Sequence, residues 1–226
     1  MNSRSDIDAA APNDRRRAAL ELLLAALLVA GANLFEIVPV SETPWLVILA
    51  WLSLRGRRRS WRHLGFRRPA NWCATIALAI AAAAALQLFS EFVVERLAGR
   101  PDLSDFAYLV GDLPAALAML ALVWTFAAFG EEIAYRGYVL ERAAALGGHS
   151  PRAYLVAMLI VSVLFGVGHY YQGPAGVIGS TVSGLWFGAL YLAAGRNLWL
   201  PILAHGFSDT IGLVVIYLGL APGLEA

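Results

Sequence analysis

Lysine is absent from this chain of 226 residues, so all 17 basic positions are arginine. That removes any Ser–Lys catalytic dyad. With the alanine-rich runs, it reflects genomic base composition rather than function. Charge of either sign is scarce: 15% of residues are Asp, Glu, Lys or Arg, against about 25% in an ordinary soluble domain. Cysteine occurs once, at Cys73, which excludes an internal disulfide and any cysteine-based zinc site. It reads as a small apolar packing residue. A net charge of +1 and the lack of a basic stripe interleaved with aromatics leave nothing that marks a nucleic-acid partner. There is no His-Glu-x-x-His zincin motif and no Gly-x-Ser-x-Gly elbow.

What is present is apolar surface. Hydrophobic residues make up 59% of the chain and the mean hydropathy is +0.64. Several apolar runs reach the roughly 20 residues that span a bilayer. The sequence predicts an all-α, polytopic transmembrane bundle with about seven spans, near 18–40, 44–54, 70–97, 113–146, 153–170, 175–194 and 198–220. Helices are required because backbone groups in lipid must be satisfied within the segment. The second stretch is short and reads as a span or as a re-entrant or interfacial segment. Residues 1–14 read as a disordered amino-terminal tail and 15–226 as a single transmembrane domain, its motif-bearing part near 113–220. Arg15-Arg16-Arg17 precede an apolar stretch too long for a signal-peptide core, so it reads as an uncleaved first span.

Arginine placement sets the expected orientation. Residues 55–68 hold Arg55, Arg57, Arg58, Arg59, Arg62, Arg67 and Arg68, whereas 91–112 carry Glu91, Glu95, Asp102, Asp105 and Asp112. The basic loop and the amino terminus are expected in the cytoplasm, and the carboxyl terminus outside, in the cell membrane of a bacterium. His63 and His149 read as solvated loop residues. Gly184 and Gly188 have the spacing that lets helices approach closely.

Within this apolar background stand Glu131-Glu132-Ile-Ala-Tyr135-Arg136, His169, and His205 with Asp209. One charged side chain at a bilayer centre costs at least roughly 2.5–3.5 kcal/mol. Three separate stretches that each carry such groups point to an intramembrane reaction site. On a helix, residues four apart share a face. Glu132 and Arg136 then form an internal, structural pair. Glu131 is left without its charge satisfied, with Tyr135 four residues on as a hydrogen-bond donor to it. A carboxylate in a poorly hydrated site suits a general base or acid. Phe165 and His169 share the same spacing, as do His205 and Asp209. Asp209 is placed to fix the His205 tautomer, and His169 to hold a water or a metal on the face shielded by Phe165. Ser162, Ser180, Ser183 and Ser208 lie in or near apolar stretches, but a Ser–His dyad leaves Glu131 unexplained. An aspartyl mechanism needs two apposed Asp, and Asp209 stands alone at depth. Two non-enzymatic readings remain beside the enzyme: a membrane immunity or scaffold protein of the same fold, and an ion or proton transporter.

The set Glu131-Glu132-x-x-x-Arg136, Phe165-x-x-x-His169 and His205-x-x-x-Asp209 resembles the bacterial members of the CAAX protease and bacteriocin-processing group, relatives of the prenyl-protein endopeptidase. The stretches Leu64–Pro69 and Leu198–His205 resemble the same group. The resemblance implies an intramembrane endopeptidase in which Glu131 and His169 activate a water, while His205 and Asp209 stabilise the oxyanion. Its substrate would be a membrane-associated protein or peptide. Both metal-dependent and glutamate-dependent descriptions exist for the group, and Glu131, His169 and His205 are the three residues that would ligate zinc. We favour no cofactor, because a ligating Glu131 would no longer serve as base. Asp209 departs from the asparagine of the prenyl-processing enzymes: an ionised carboxylate cannot donate to an oxyanion and would instead orient His205.

Overall fold

The computed structural model describes residues 12–35, 37 and 41–224. Every stretch drawn as a span is helical. Helix α1 is Pro12–Asn33, α2 Thr43–Gly56, α3 Trp72–Ala98 and α4 Leu113–Leu146. Helix α5 is Pro151–Val167, α6 Gly173–Ala193 and α7 Trp199–Tyr217. Short 3₁₀ turns at Trp61–Leu64, Ser104–Leu109 and Tyr170–Gln172 connect them. No strand occurs among the described residues. Of the expected tail, residues 1–11 lie outside the described residues, and 12–14 form the first turn of α1. The first span ends at Asn33 rather than 40, and 38–40 lie outside the described residues.

Local chemistry accounts for the helix starts. Asn71, Asp112 and Ser150 each accept the backbone N–H three residues on, at 3.1, 3.0 and 3.2 Å, satisfying a donor that the first helical turn leaves free. Proline stands in the first turns of α2, α4, α5 and α6, where its missing N–H is not needed. Among the described residues four helices are long and apolar enough to cross a membrane: Trp72–Ala98, Leu113–Leu146, Tyr170–Ala193 and Trp199–Tyr217; the apolar Pro151–Val167 is shorter. Leucine and isoleucine side chains such as Leu78, Ile80, Leu117, Leu155, Leu159 and Ile160 face outward, the lipid-facing dress of a polytopic helical bundle.

Helix α4 is the central element. Its middle packs on α2 and α7, its end on α1, while α5 lies along α6 and α3 along α7. The main buried cluster gathers Leu46 of α2, Tyr135, Tyr138 and Leu140 of α4, Phe165 of α5, Tyr191 of α6, and Ile202 of α7. Gly184 and Gly188 do set the approach of α6 to α5: a Cβ at Gly184 would stand 3.0 Å from the Ser162 backbone, and one at Gly188 2.8 Å from Met158.

Two features depart from simple α-helical reading. Val123–Leu140 in α4 is wound as a π-helix, so the wider turn rotates residues four apart away from a shared face. Helix α5 stops at Val167, before His169, and the chain tightens there through His169 N–H to Gly166 O at 2.9 Å.

Candidate active site

Glu132 lies at the centre of the polar cluster, fully buried in the π-wound part of α4. Its Oε1 forms an ion pair with Arg136 Nη1 at 2.9 Å and accepts a hydrogen bond from His205 Nδ1 at 2.8 Å. Arg136 also donates to Gly184 O at 3.2 Å. Its guanidinium carbon lies 4.5 Å from the Phe165 ring centre and 5.4 Å from that of Phe187, within cation–π range. Two rings and a backbone carbonyl therefore share a charge that lipid would not solvate. Arg136 thus ties α4 to α5 and α6, and Glu132 ties α4 to α7.

His205 is held on both nitrogens. With Nδ1 committed to Glu132, Nε2 faces Asp209 Oδ2 at 3.3 Å and Glu131 Oε2 at 3.9 Å. The Phe187 ring stacks on the imidazole at 4.5 Å, with planes 19° apart. Three carboxylates thus surround one imidazole. Glu131 Oε2 itself is buried without a hydrogen-bond partner, a state that needs explaining in a dry interior. Helix α7 is seated by Trp124, whose ring occupies the space a Cβ at Gly206 would need. Trp124 also donates from Nε1 to Thr210 Oγ1 at 3.2 Å.

His169 sits in the turn after α5, not on the helix. Its Nδ1 meets Phe165 O at 3.0 Å; that nitrogen therefore carries the proton, and Nε2 keeps its lone pair. Phe165 is more than a lipid shield. It is buried, with its ring edge-on to Tyr135 at 5.0 Å, beside His169 at 4.8 Å and edge-on to His205 at 6.2 Å.

The expected partnerships need three corrections. Tyr135 does not serve Glu131: its hydroxyl donates to Glu42 Oε1 at 2.5 Å. The π winding turns Tyr135 away from the Glu131 side, whereas the longer, flexible Arg136 still reaches Glu132. Glu132 is not only the partner of Arg136, because the same oxygen holds His205. Glu131 neighbours His205 at 3.9 Å, a partner that spacing along the sequence does not assign to it.

Sequence reasoning missed Glu42, Asn33 and Phe187. Glu42 is buried and accepts from Asn33 Nδ2 at 2.9 Å as well as from Tyr135. A Cβ at Gly168 would lie 2.7 Å from its Oε1, so the carboxylate abuts the His169 turn. Glu42 occupies the cap position of α2 without capping it through its side chain. From sequence, an acid before Thr-Pro reads only as a helix start. His149 is half-buried rather than solvated, with Nδ1 3.0 Å from the Tyr154 hydroxyl. A cavity of about 480 Å³ bordered by Gln87, Gln172, Ser183 and Asp209 brings polar space up to Asp209, within the size of small-ligand sites.

Among the described residues no three His, Cys, Asp or Glu side chains are arranged to hold a metal ion. The trio Glu131, His169 and His205 is not such a group; within it, Glu131 Oε2 and His205 Nε2 lie 3.9 Å apart.

Residues 113–211 match a family model described as type II CAAX prenyl endopeptidase Rce1-like. The model is named for endopeptidases, and the region of this chain that is similar to it, less than half of its length, holds Glu131, Glu132, Tyr135, Arg136, Phe165, His169, His205 and Asp209. Glu42 and Asn33 lie outside it. No curated protein and no solved structure matches the chain.

Proposed function

We propose that this protein hydrolyses a peptide bond of a membrane-associated protein or peptide inside the bundle, with a water activated by Glu131. The observation that carries the proposal is the buried Glu131 Oε2, unpartnered and 3.9 Å from His205 Nε2. A water bridging these two atoms would be within hydrogen-bond reach of both. Glu131 takes a proton from that water as its oxygen bonds to the substrate carbonyl carbon. The carbonyl electrons move to oxygen, which becomes an oxyanion. His205, surrounded by Glu131, Glu132 and Asp209, carries positive charge at little cost and donates from Nε2 toward the oxyanion. The C–N bond then breaks, and Glu131 returns the proton to the leaving amine. His169 contributes an acceptor nitrogen toward the same water. Glu132 and Asp209 hold His205, and Arg136 holds Glu132. The reaction so written routes no step through a metal.

The arginine-rich end of the bundle lies on the cytoplasmic side and substrate enters from the membrane. A prenylated tail, as the family name suggests, and an unmodified transmembrane peptide are the two substrate classes to compare. The test is cleavage of both peptides by purified wild type and by Glu131→Gln. Cleavage of at least one by wild type, reduced by roughly 10²–10⁴-fold or more in the variant, is the expected result. Unchanged cleavage by folded Glu131→Gln ends the proposal. Stoichiometric zinc, with activity lost on chelation and restored by zinc alone, would overturn the metal-free mechanism and leave the protease.

A further inference from the structure

At the end of the bundle that carries the basic loop lies a second polar cavity, of about 380 Å³, unrelated to Glu131. Arg57, Arg59, Arg62, Arg67, Arg142 and Arg196 line it; among the described residues the carboxylates beside them are Asp14 and Glu141 in the lining and Glu21 behind Arg57. The surplus is structural as well as numerical. Arg57 is engaged by Glu21 at 2.5 Å and Ser53 at 2.6 Å, yet its Nη2 is buried with no partner, as is Arg142 Nε. Arg196 is engaged by the Tyr154 hydroxyl and by Glu141 at 3.6 Å, and Arg67 by the Gly195 and Arg196 carbonyls. The Arg62 side chain makes no hydrogen bond or ion pair to the described residues and stays exposed at the rim. Six guanidinium groups brought together by three different parts of the chain repel one another. Buried N–H groups left idle are also uncommon in native proteins. An anion with several acceptor oxygens answers both facts.

The place of the cavity narrows the ligand. It sits where α1, α2 and α4 end or begin, at the level at which an apolar bundle meets water. On the adjoining face of α4 and α5 an apolar groove of about 620 Å³ runs along Leu22, Ala26, Ala143, Leu146 and Val156. Ala143 and Leu146 of the groove share a helical turn with Arg142 and Ala145 of the cavity. We propose that the arginine cavity binds a phosphate group, either that of an acidic phospholipid headgroup, whose acyl chain would follow the groove, or a free phosphate. His63 and His149 also border the cavity, His63 with its ring nitrogens engaged by Arg59 and the Ser60 carbonyl.

The test is thermal unfolding of the purified full-length protein in detergent, titrated separately with phosphatidylglycerol, phosphatidylcholine and inorganic phosphate. Anything that binds only the folded state raises the midpoint. Stabilisation by phosphatidylglycerol but not phosphatidylcholine, weakened by salt, identifies the headgroup. Stabilisation by inorganic phosphate alone identifies the soluble anion. In either case Arg142→Gln and Arg62→Gln each weaken the apparent affinity by roughly fivefold, as one arginine near a phosphate surface would. Arg62 is exposed, so Arg62→Gln keeps the test alive if Arg142→Gln does not fold. No stabilisation by either phosphate source, or stabilisation unchanged in both variants, overturns the proposal. Proteolytic activity does not enter the readout.

Discussion

Removing Arg136 and Glu132 singly and together tests whether the polar cluster is one coupled unit. Both side chains are almost wholly buried, at 2% and 0% exposure, and 2.9 Å apart. Deleting one member of a buried ion pair typically costs roughly 3–5 kcal/mol, because the other charge is stranded. Arg136→Met strands the Glu132 carboxylate, with His205 Nδ1 its remaining partner, and also forfeits the contacts with the Phe165 and Phe187 rings. Glu132→Gln strands the guanidinium among two rings and the Gly184 carbonyl. For a chain of this size each kcal/mol moves the unfolding midpoint by about 2–4 °C, so each single variant should lose on the order of 6–20 °C. The double variant carries no stranded charge. It should be less damaged than the sum of the singles, with a coupling of about 0.5–3 kcal/mol. Thermal unfolding in detergent, read by tryptophan fluorescence, measures all four proteins. Additivity within about 0.5 kcal/mol would refute the pair as an energetic unit. A second comparison isolates the bond to His205: the amide oxygen of Glu132→Gln can still accept from Nδ1, whereas Glu132→Leu cannot. At matched stability the leucine variant should cleave substrate more slowly than the glutamine variant.

The fold and the cluster were not equally legible in the sequence. Apolar length alone located the seven helices of the described residues, and Leu113–Leu146 falls on its expected bounds, because the lipid environment forces helix wherever an apolar run persists. The membership of the cluster was legible for the same reason: polar groups stand out against apolar runs. The partnerships were less so. They depend on rotation about the helix axis, and a sequence read at 3.6 residues per turn cannot reveal that Val123–Leu140 is wound with a longer period. That single difference sends Tyr135 to Glu42 instead of Glu131. His169 was placed on a helical face by its spacing from Phe165, yet the helix has ended two residues earlier. Gly166 and Gly168 at that turn pack closely against Thr181 and Glu42, neighbours that the local sequence does not reveal. Glu42 was invisible because its partners, Asn33 and Tyr135, are long-range or lie on another helix. The arginine cavity was legible only as orientation: sequence counts arginines in a loop but does not show Arg142 and Arg196 joining them.

Three further outcomes follow from single contacts. Asp112→Ala removes the acceptor that caps α4 through Ala115 N–H and should lower stability by about 0.5–2 kcal/mol, read from the unfolding midpoint. His149 lies between spans, and burial holds its imidazole below the usual value, with Arg142 and Arg196 lowering it further against Glu141, which raises it. A depressed imidazole means the unfolded chain binds more protons than the folded one as pH falls below about 6.5. Stability should therefore drop on the acid side, and His149→Gln should flatten that drop in midpoints measured from pH 7 to 5; an unchanged slope would discard the assignment. The last outcome concerns Tyr135 and Glu42. Tyr135→Phe takes away one of the two donors that hold the buried Glu42 carboxylate and leaves only Asn33, at about 1–3 kcal/mol for a charged acceptor left short of a partner. Glu42→Gln leaves no stranded charge, so in its background the Tyr135→Phe change should cost measurably less. Because Glu42 abuts Gly168 and the His169 turn, the loss should also slow cleavage beyond what lowered stability explains. A Tyr135→Phe protein with wild-type midpoint and wild-type rate would show that Glu42 merely fills space beside the site.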